Sequence, residues 1–143
     1  MMTADEIRVV PKSDDAKTVP GLLRHFSELK GFKVADPAPD IDGWKVELPN
    51  ERKVGTVDDL IIDTTDLSVR YLEVKADHEA LGTDDDEWVL IPVRRARIDD
   101  GEHRVIVDGL PAVGIAGAPR FTRGVPTKAQ EQQLQEYFGS NTA

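Results

Sequence analysis

The stretch Lys53–Ala76, KVGTVDDLIIDTTDLSVRYLEVKA, sets Asp58, Asp59, Asp63, Asp66 and Glu73 among apolar residues, with Asp77 just beyond its end. Its apolar positions Val54, Val57, Leu60 and Ile62 break strict alternation. Gly55 and the doubled Asp58–Asp59 therefore predict a bulge or sharp bend in a strand running Val54 to Ile62. Asp63 closes that strand, and Thr64-Thr65-Asp66 reads as a turn whose short polar side chains satisfy their own backbone. From Val69 to Ala76 the residues alternate, Val69 and Tyr71 facing one way and Arg70, Leu72 and Val74 the other, which is a strand signal. On this reading the acids are the wet rim of a half-buried sheet. Acid–base work would instead require an apolar pocket that pushes paired carboxyl pKa values apart.

Working outward, the period of two continues. FKVA precedes the Pro/Asp/Gly-rich link DPAPDIDG, and WKVEL follows it. Trp88–Val93 (WVLIPV) is a further strand that ends or bends at Pro92. Ala96–Asp99 and Arg104–Asp108 flank DDGEH, where Asp100-Gly101 is expected to supply the positive φ of a hairpin turn. Short strands at such close spacing predict a mainly β fold, a small barrel or sandwich. Ile7–Val10 is expected as an edge strand. PGLLRHFSELKG places Leu22, Leu23, Phe26 and Leu29 at helical spacing between Pro20 and Gly31, which predicts one or two helical turns or a docked arm. After the Pro/Gly-punctuated segment PRFTRGVP, Thr127 reads as the N-cap of a helix KAQEQQLQEYF that Gly139 stops. Its apolar stripe is Leu134, Tyr137 and Phe138, so it is expected to dock by its last turn. The organisation is thus an N-terminal arm (1–31), a β-barrel (32–118), and a crossing segment with a C-terminal helix (119–143).

With 143 residues the chain is long enough to bury a core without staples. It has no cysteine, hence no disulfide framework, thiolate zinc site or thiol nucleophile. Against 27 acidic residues stand 18 basic ones, a formal charge of -9 that repels phosphate backbones and makes nucleic acid an unsuitable main partner. No run approaches the ~20 apolar residues that span a bilayer, and the acidic opening MMTADEIRVVPKSDD is unlike a signal peptide. A soluble, cytoplasmic protein without direct membrane insertion is expected.

Chemistry-bearing patterns are sparse. His25 lies in the expected helix, His78 in an acidic loop and His103 in a hairpin turn, without ligand spacing, so each reads as a surface or capping residue and no metal site is expected. Asp84–Glu87 lacks the alternating ligands and distal Glu of a calcium loop. There is no nucleophile elbow and no phosphate loop, since Pro119 follows GIAGA where a helix would have to begin. No catalytic residue and no cofactor is expected. Arg94, Arg95 and Arg97 form the one basic cluster; on a strand, Arg95 and Arg97 share a face, making a partner-contact candidate.

VGTVDDLIIDTTDLSVRYLEV, then WVLIPVRRARI, then HRVIVDGL resemble, in order and spacing, the blocks of the PRC-barrel domain. That small β-barrel is shared by the cytoplasmic part of the H subunit of purple bacterial photosynthetic reaction centres and by ribosome maturation factors. GFKVADPAPDIDGWKV, GLPAVGIAGAPRF and the C-terminal helix are closer to the H-subunit branch. The resemblance implies a non-enzymatic protein–protein interaction or adaptor module that binds a protein partner, with self-association as a further expectation. As an alternative it implies a peripheral cap on a membrane redox complex, assisting proton uptake through positions that match Asp63, Asp66 and Arg70. That role would tie the protein to photosynthesis.

Overall fold

The computed structural model describes residues 2–36, 38–110, 114–120 and 124–139. Ten strands follow in chain order: β1 (Met2–Thr3), β2 (Val9–Pro11), β3 (Leu23–His25), β4 (Phe32–Val34), β5 (Lys45–Glu47), β6 (Lys53–Asp63), β7 (Ser68–Ala76), β8 (Glu87–Pro92), β9 (Ala96–Asp99) and β10 (Arg104–Val107). Among the described residues there are also two α-helices, α1 (His78–Leu81) and α2 (Lys128–Phe138), and short 3-10 turns. Parts of the predicted apolar run and crossing segment, 111–113 and 121–123, lie outside the described residues.

The main sheet runs β1-β9-β10-β5-β6-β7-β8, with β3 added to β6, while β2 pairs β4 separately. All pairings are antiparallel except β5 with β10. Strands β8 and β9 stand at distant places in this order yet are joined by only Val93–Arg95. So short a link reaches about 10–14 Å, which forces the sheet to curl until its ends approach. The turn Ala4–Glu6 fills that seam, packing on β7, β9 and Val93–Arg95. Inside lie Ile7, Ile61, Leu72, Ile91, Ile98 and Val105, all essentially inaccessible to water.

β7 lies between β6 and β8, and its residues Tyr71–Val74 are all buried, so both of its faces are covered. The predicted bulge in β6 is present: Val57 faces Val74 and Asp59 faces Glu73, so Asp58 is the extra residue. A second register shift lies between Ile61–Tyr71 and Ile62–Val69, making Arg70 the extra residue on β7. The C-terminal helix is capped as expected. Thr127 Oγ1 accepts from Gln130 N (3.1 Å) while Thr127 N donates to Gln130 Oε1 (2.9 Å). Leu134 and Phe138 are its buried residues.

Three expectations need correction. The segment read as a helix between Pro20 and Gly31 is strand β3 followed by the 3-10 turn Phe26–Glu28. Edge pairing with β6 (Leu23 to Asp63, His25 to Ile61) outweighs its helical spacing, and Leu22 is exposed rather than part of an apolar face. In the β9–β10 hairpin the positive φ belongs to His103 (51°), not Gly101, and its ring sits 4.9 Å from that of Trp44. His78 does not lie in a loop but begins the short helix α1, where its ring Nδ1 and backbone N both meet Asp86 Oδ1.

One ion-pair cluster spans the parallel junction. Arg104 contacts Glu47 Oε1 (2.9 Å) and Asp99 Oδ2 (2.8 Å), and Lys45 reaches Glu47 Oε2 (3.3 Å). The Arg104 hydrogen bond holds buried Glu47 below the usual carboxylate range, and Asp99 is lowered by the same guanidinium. A depressed folded pKa contributes stability above the unfolded pKa and loses it as pH falls through the folded value. Arg104→Met should therefore be clearly destabilised at neutral pH and approach wild type as pH drops below about 4. Urea unfolding at several pH values checks this; a gap unchanged in acid would remove electrostatics as its cause.

Candidate functional site

Strands β5 and β3 share one edge of β6, but β5 pairs only as far as Thr56 and β3 begins at Ile61. Val57 is taken up by loop backbone, donating to Trp44 O and accepting from Gly43 N. The edge then opens at the bulge. There a cleft of about 200 Å³ is lined by Phe26, Ser27, Asp40, Asp42, Asp58, Asp59 and Leu60 among others. Four carboxylates thus converge because a bulge doubles the acids on β6 and the link DPAPDIDG brings two more. Partial burial, then the fields of Asp40, Asp59 and Asp58, hold the Asp42 carboxyl above its ordinary value.

Each bulge acid is oriented. Asp58 Oδ2 accepts from Trp88 Nε1 (2.9 Å), and Lys75 lies over the Trp88 ring. Asp59 accepts from Ser27 Oγ (2.5 Å), Ser27 N (3.2 Å) and Leu60 N (2.8 Å).

Beneath the bulge lies the largest departure from the sequence reading. Glu73, expected on the wet rim, is 0% exposed. Its Oε2 lies 2.9 Å from His25 Nε2, and His25 is itself largely buried, so neither is the surface residue its local sequence suggests. Burial raises the Glu73 carboxyl pKa; the hydrogen bond to His25 opposes this, and Asp59 and Asp58 add to it. The pair is invisible to local pattern because the partners are 48 positions apart. The one available signal was Glu73 standing between Leu72 and Val74 in a strand buried on both faces.

The predicted relay residues sit at the other end of β6 and β7. Arg70, projecting from its bulge, binds Asp63 Oδ2 (3.0 Å) and Glu131 Oε1 (3.1 Å) on α2, and Tyr71 OH donates to the same Glu131 oxygen (2.8 Å). Asp66 instead accepts from Ser68 N and Oγ within the turn, and these bonds lower its pKa. Asp63 and Arg70 are therefore brought together, with Glu131 as a third member, whereas Asp66 serves its own turn.

The arginines do not share one strand. Arg94 and Arg95 lie in the 3-10 turn Val93–Arg95, and only Arg97 is on β9. Arg95 donates to the Phe138 carbonyl and so ties down the end of α2, Arg97 pairs with Asp108 (3.1 Å), and Arg94 stays exposed. The preceding Pro92 and the sheet's seam turn the chain there, which breaks the expected alternation.

This strand order, with its blocks in register, meets an independent comparison: the model of the PRC-barrel domain matches residues 25–113. The chain belongs to the PRC-barrel domain family. No curated protein matches it. The mainly β fold with a C-terminal helix is as expected, while the N-terminal arm carries strand β3 where a helix was expected. The PRC-barrel match begins at His25, so strand β3 enters it only by its last residue. Among the described residues no helix is long and apolar enough to cross a membrane.

Proposed function

We propose that this PRC-barrel chain is a non-enzymatic interaction module that binds a protein partner at the β6–β7 turn end. The observation that carries this reading is the exposure of Val19 (65%) and Leu22 (42%) beside an open groove. That groove, about 510 Å³, is lined by Pro11, Ala16, Phe32, Thr64, Leu67 and neighbours. Single exposed apolar residues are ordinary, but two flanking an open groove mark a contact surface. They are also held in place. Thr64 Oγ1 donates to Val19 O (2.6 Å) and accepts from Leu22 N (2.9 Å), fixing the backbone while the apolar side chains stay outside. Arg94 is exposed elsewhere on the surface and makes no ion pair among the described residues. The double variant Val19→Asp, Leu22→Asp should stay folded by circular dichroism and lose a partner that the wild type enriches from its native lysate. A wild type that is strictly monomeric and enriches nothing specific would sink this reading.

A second reading rests on the Asp63–Arg70–Glu131 network at the same end, whose side chains keep 20–43% of their exposure. Together with the likeness to the reaction-centre H subunit, it supports a peripheral cap on the cytoplasmic side of a membrane redox complex. Such a cap would co-fractionate with membranes at low salt and come off near 1 M, where screening shortens to about 3 Å. In that complex Asp63→Asn with Asp66→Asn should slow proton uptake; an unaltered rate removes this reading.

A further inference from the structure

We propose that His25, Asp59 and Glu73 form a binding site for a divalent cation of the zinc type. They come from β3, β6 and β7, and one ligand atom from each lies within 4.8 Å of the other two. Tetrahedral coordination with bonds of about 2.0–2.1 Å sets donor atoms roughly 3.3 Å apart, so shifts below about 1 Å per side chain complete the set. One imidazole nitrogen with two carboxylate oxygens suits zinc and its first-row neighbours, whereas magnesium and calcium favour all-oxygen sets.

Three further features fit a cation here. Asp59 and Glu73 are direct cross-strand partners, a like-charge pairing that is destabilising unless a proton or cation stands between the carboxylates. Two of the three ligands, His25 and Asp59, also have an outer partner of the kind that orients metal ligands. His25 directs Nδ1 toward Glu28 Oε1 (3.6 Å) while Nε2 faces Glu73, and Asp59 is held by Ser27 and Leu60 N. Finally, the acidic cleft opens on Asp59, with Asp40, Asp42 and Asp58 at its rim. It gives the ion a negatively charged approach and leaves room for water at the fourth position. Because the ligands lie on three separate strands, binding would clamp β3 to the barrel and raise global stability.

The full chain, stripped with chelator, is to be melted with increasing zinc chloride, and with magnesium chloride in parallel. Zinc should raise the midpoint and saturate at one ion per chain by calorimetry, while magnesium at the same concentration leaves it unmoved. Asp59→Asn, which spares the His25–Glu73 contact, should weaken zinc binding by tenfold or more. His25→Gln provides the same test should that variant fail to fold, and His78→Gln, which removes the separate exposed pair with Asp86, should bind as wild type. No zinc shift in the wild type overturns the site, as does a shift kept in full by either folded ligand variant.

Discussion

Leu72→Ala should cost about 2–5 kcal/mol of unfolding free energy. For a domain of this size that corresponds to a thermal midpoint lower by roughly 6–20 °C. Leu72 is 0% exposed and sits on β7, opposite Leu60 on β6 and Ile91 on β8. β6 is pinned by its own ladders to β5 and β3, and Leu90 and Ile91 of β8 are buried in the core, so the space left by the removed carbons cannot close cheaply. The volume-conserving Leu72→Met should cost less than about 1.5 kcal/mol. Calorimetry on both variants separates a rigid core from a pliable one. An alanine variant losing under about 1 kcal/mol would show that β7 relaxes into the gap, contrary to its two-sided burial.

The same two-sided burial explains what could and could not be read from the chain. β6, β7, β8, β9 and β10 were legible because runs rich in β-branched residues stand between clear turn signals, β6 despite its broken alternation, and helix α2 because Thr127 and Gly139 punctuate it. Leu23–His25 was not legible. Its apolar residues repeat at helical spacing, and only the open edge of β6 at Ile61–Asp63, a tertiary fact, makes it a strand. His103 took the left-handed conformation that Asp100-Gly101 seemed to reserve, because Asp99 pairs with Arg104 around a four-residue loop whose last residue turns the chain.

The candidate site was half legible. The doubled Asp58–Asp59 does announce a bulge, and the bulge does create the cleft. Reading every acid in the stretch as rim failed at Glu73, however, since alternation places a residue on a face but cannot say that both faces are covered. His25, 48 residues before its partner, carries no local mark of a buried pair. Asp63 and Arg70 were singled out through a family likeness, and the structure joins them to Glu131, which lies beyond the strands that carry the family blocks.

Gly55→Ala should destabilise the protein by about 2 kcal/mol, although alanine is normally the better residue in a strand. A Cβ at Gly55 would stand 2.5 Å from Lys75 O and 3.0 Å from both Ala76 Cα and Val74 Cγ1. Two of these three atoms are β7 backbone, which cannot swing aside as a side-chain tip can. The strands must separate where β6 enters its bulge, an overpacking cost near the upper end of about 1–3 kcal/mol. The smaller entropy of the unfolded chain returns about 0.4–1 kcal/mol of that. Gly101→Ala isolates the second effect, because its new Cβ would meet only Asp99 Oδ1 at 3.7 Å and its φ is ordinary. That variant should melt at or slightly above wild type. If Gly55→Ala melts like Gly101→Ala, β6 and β7 are not in close register at this point. The bulge that follows, and the acidic cleft it opens, would then have no fixed frame to hold Asp58 and Asp59 in place.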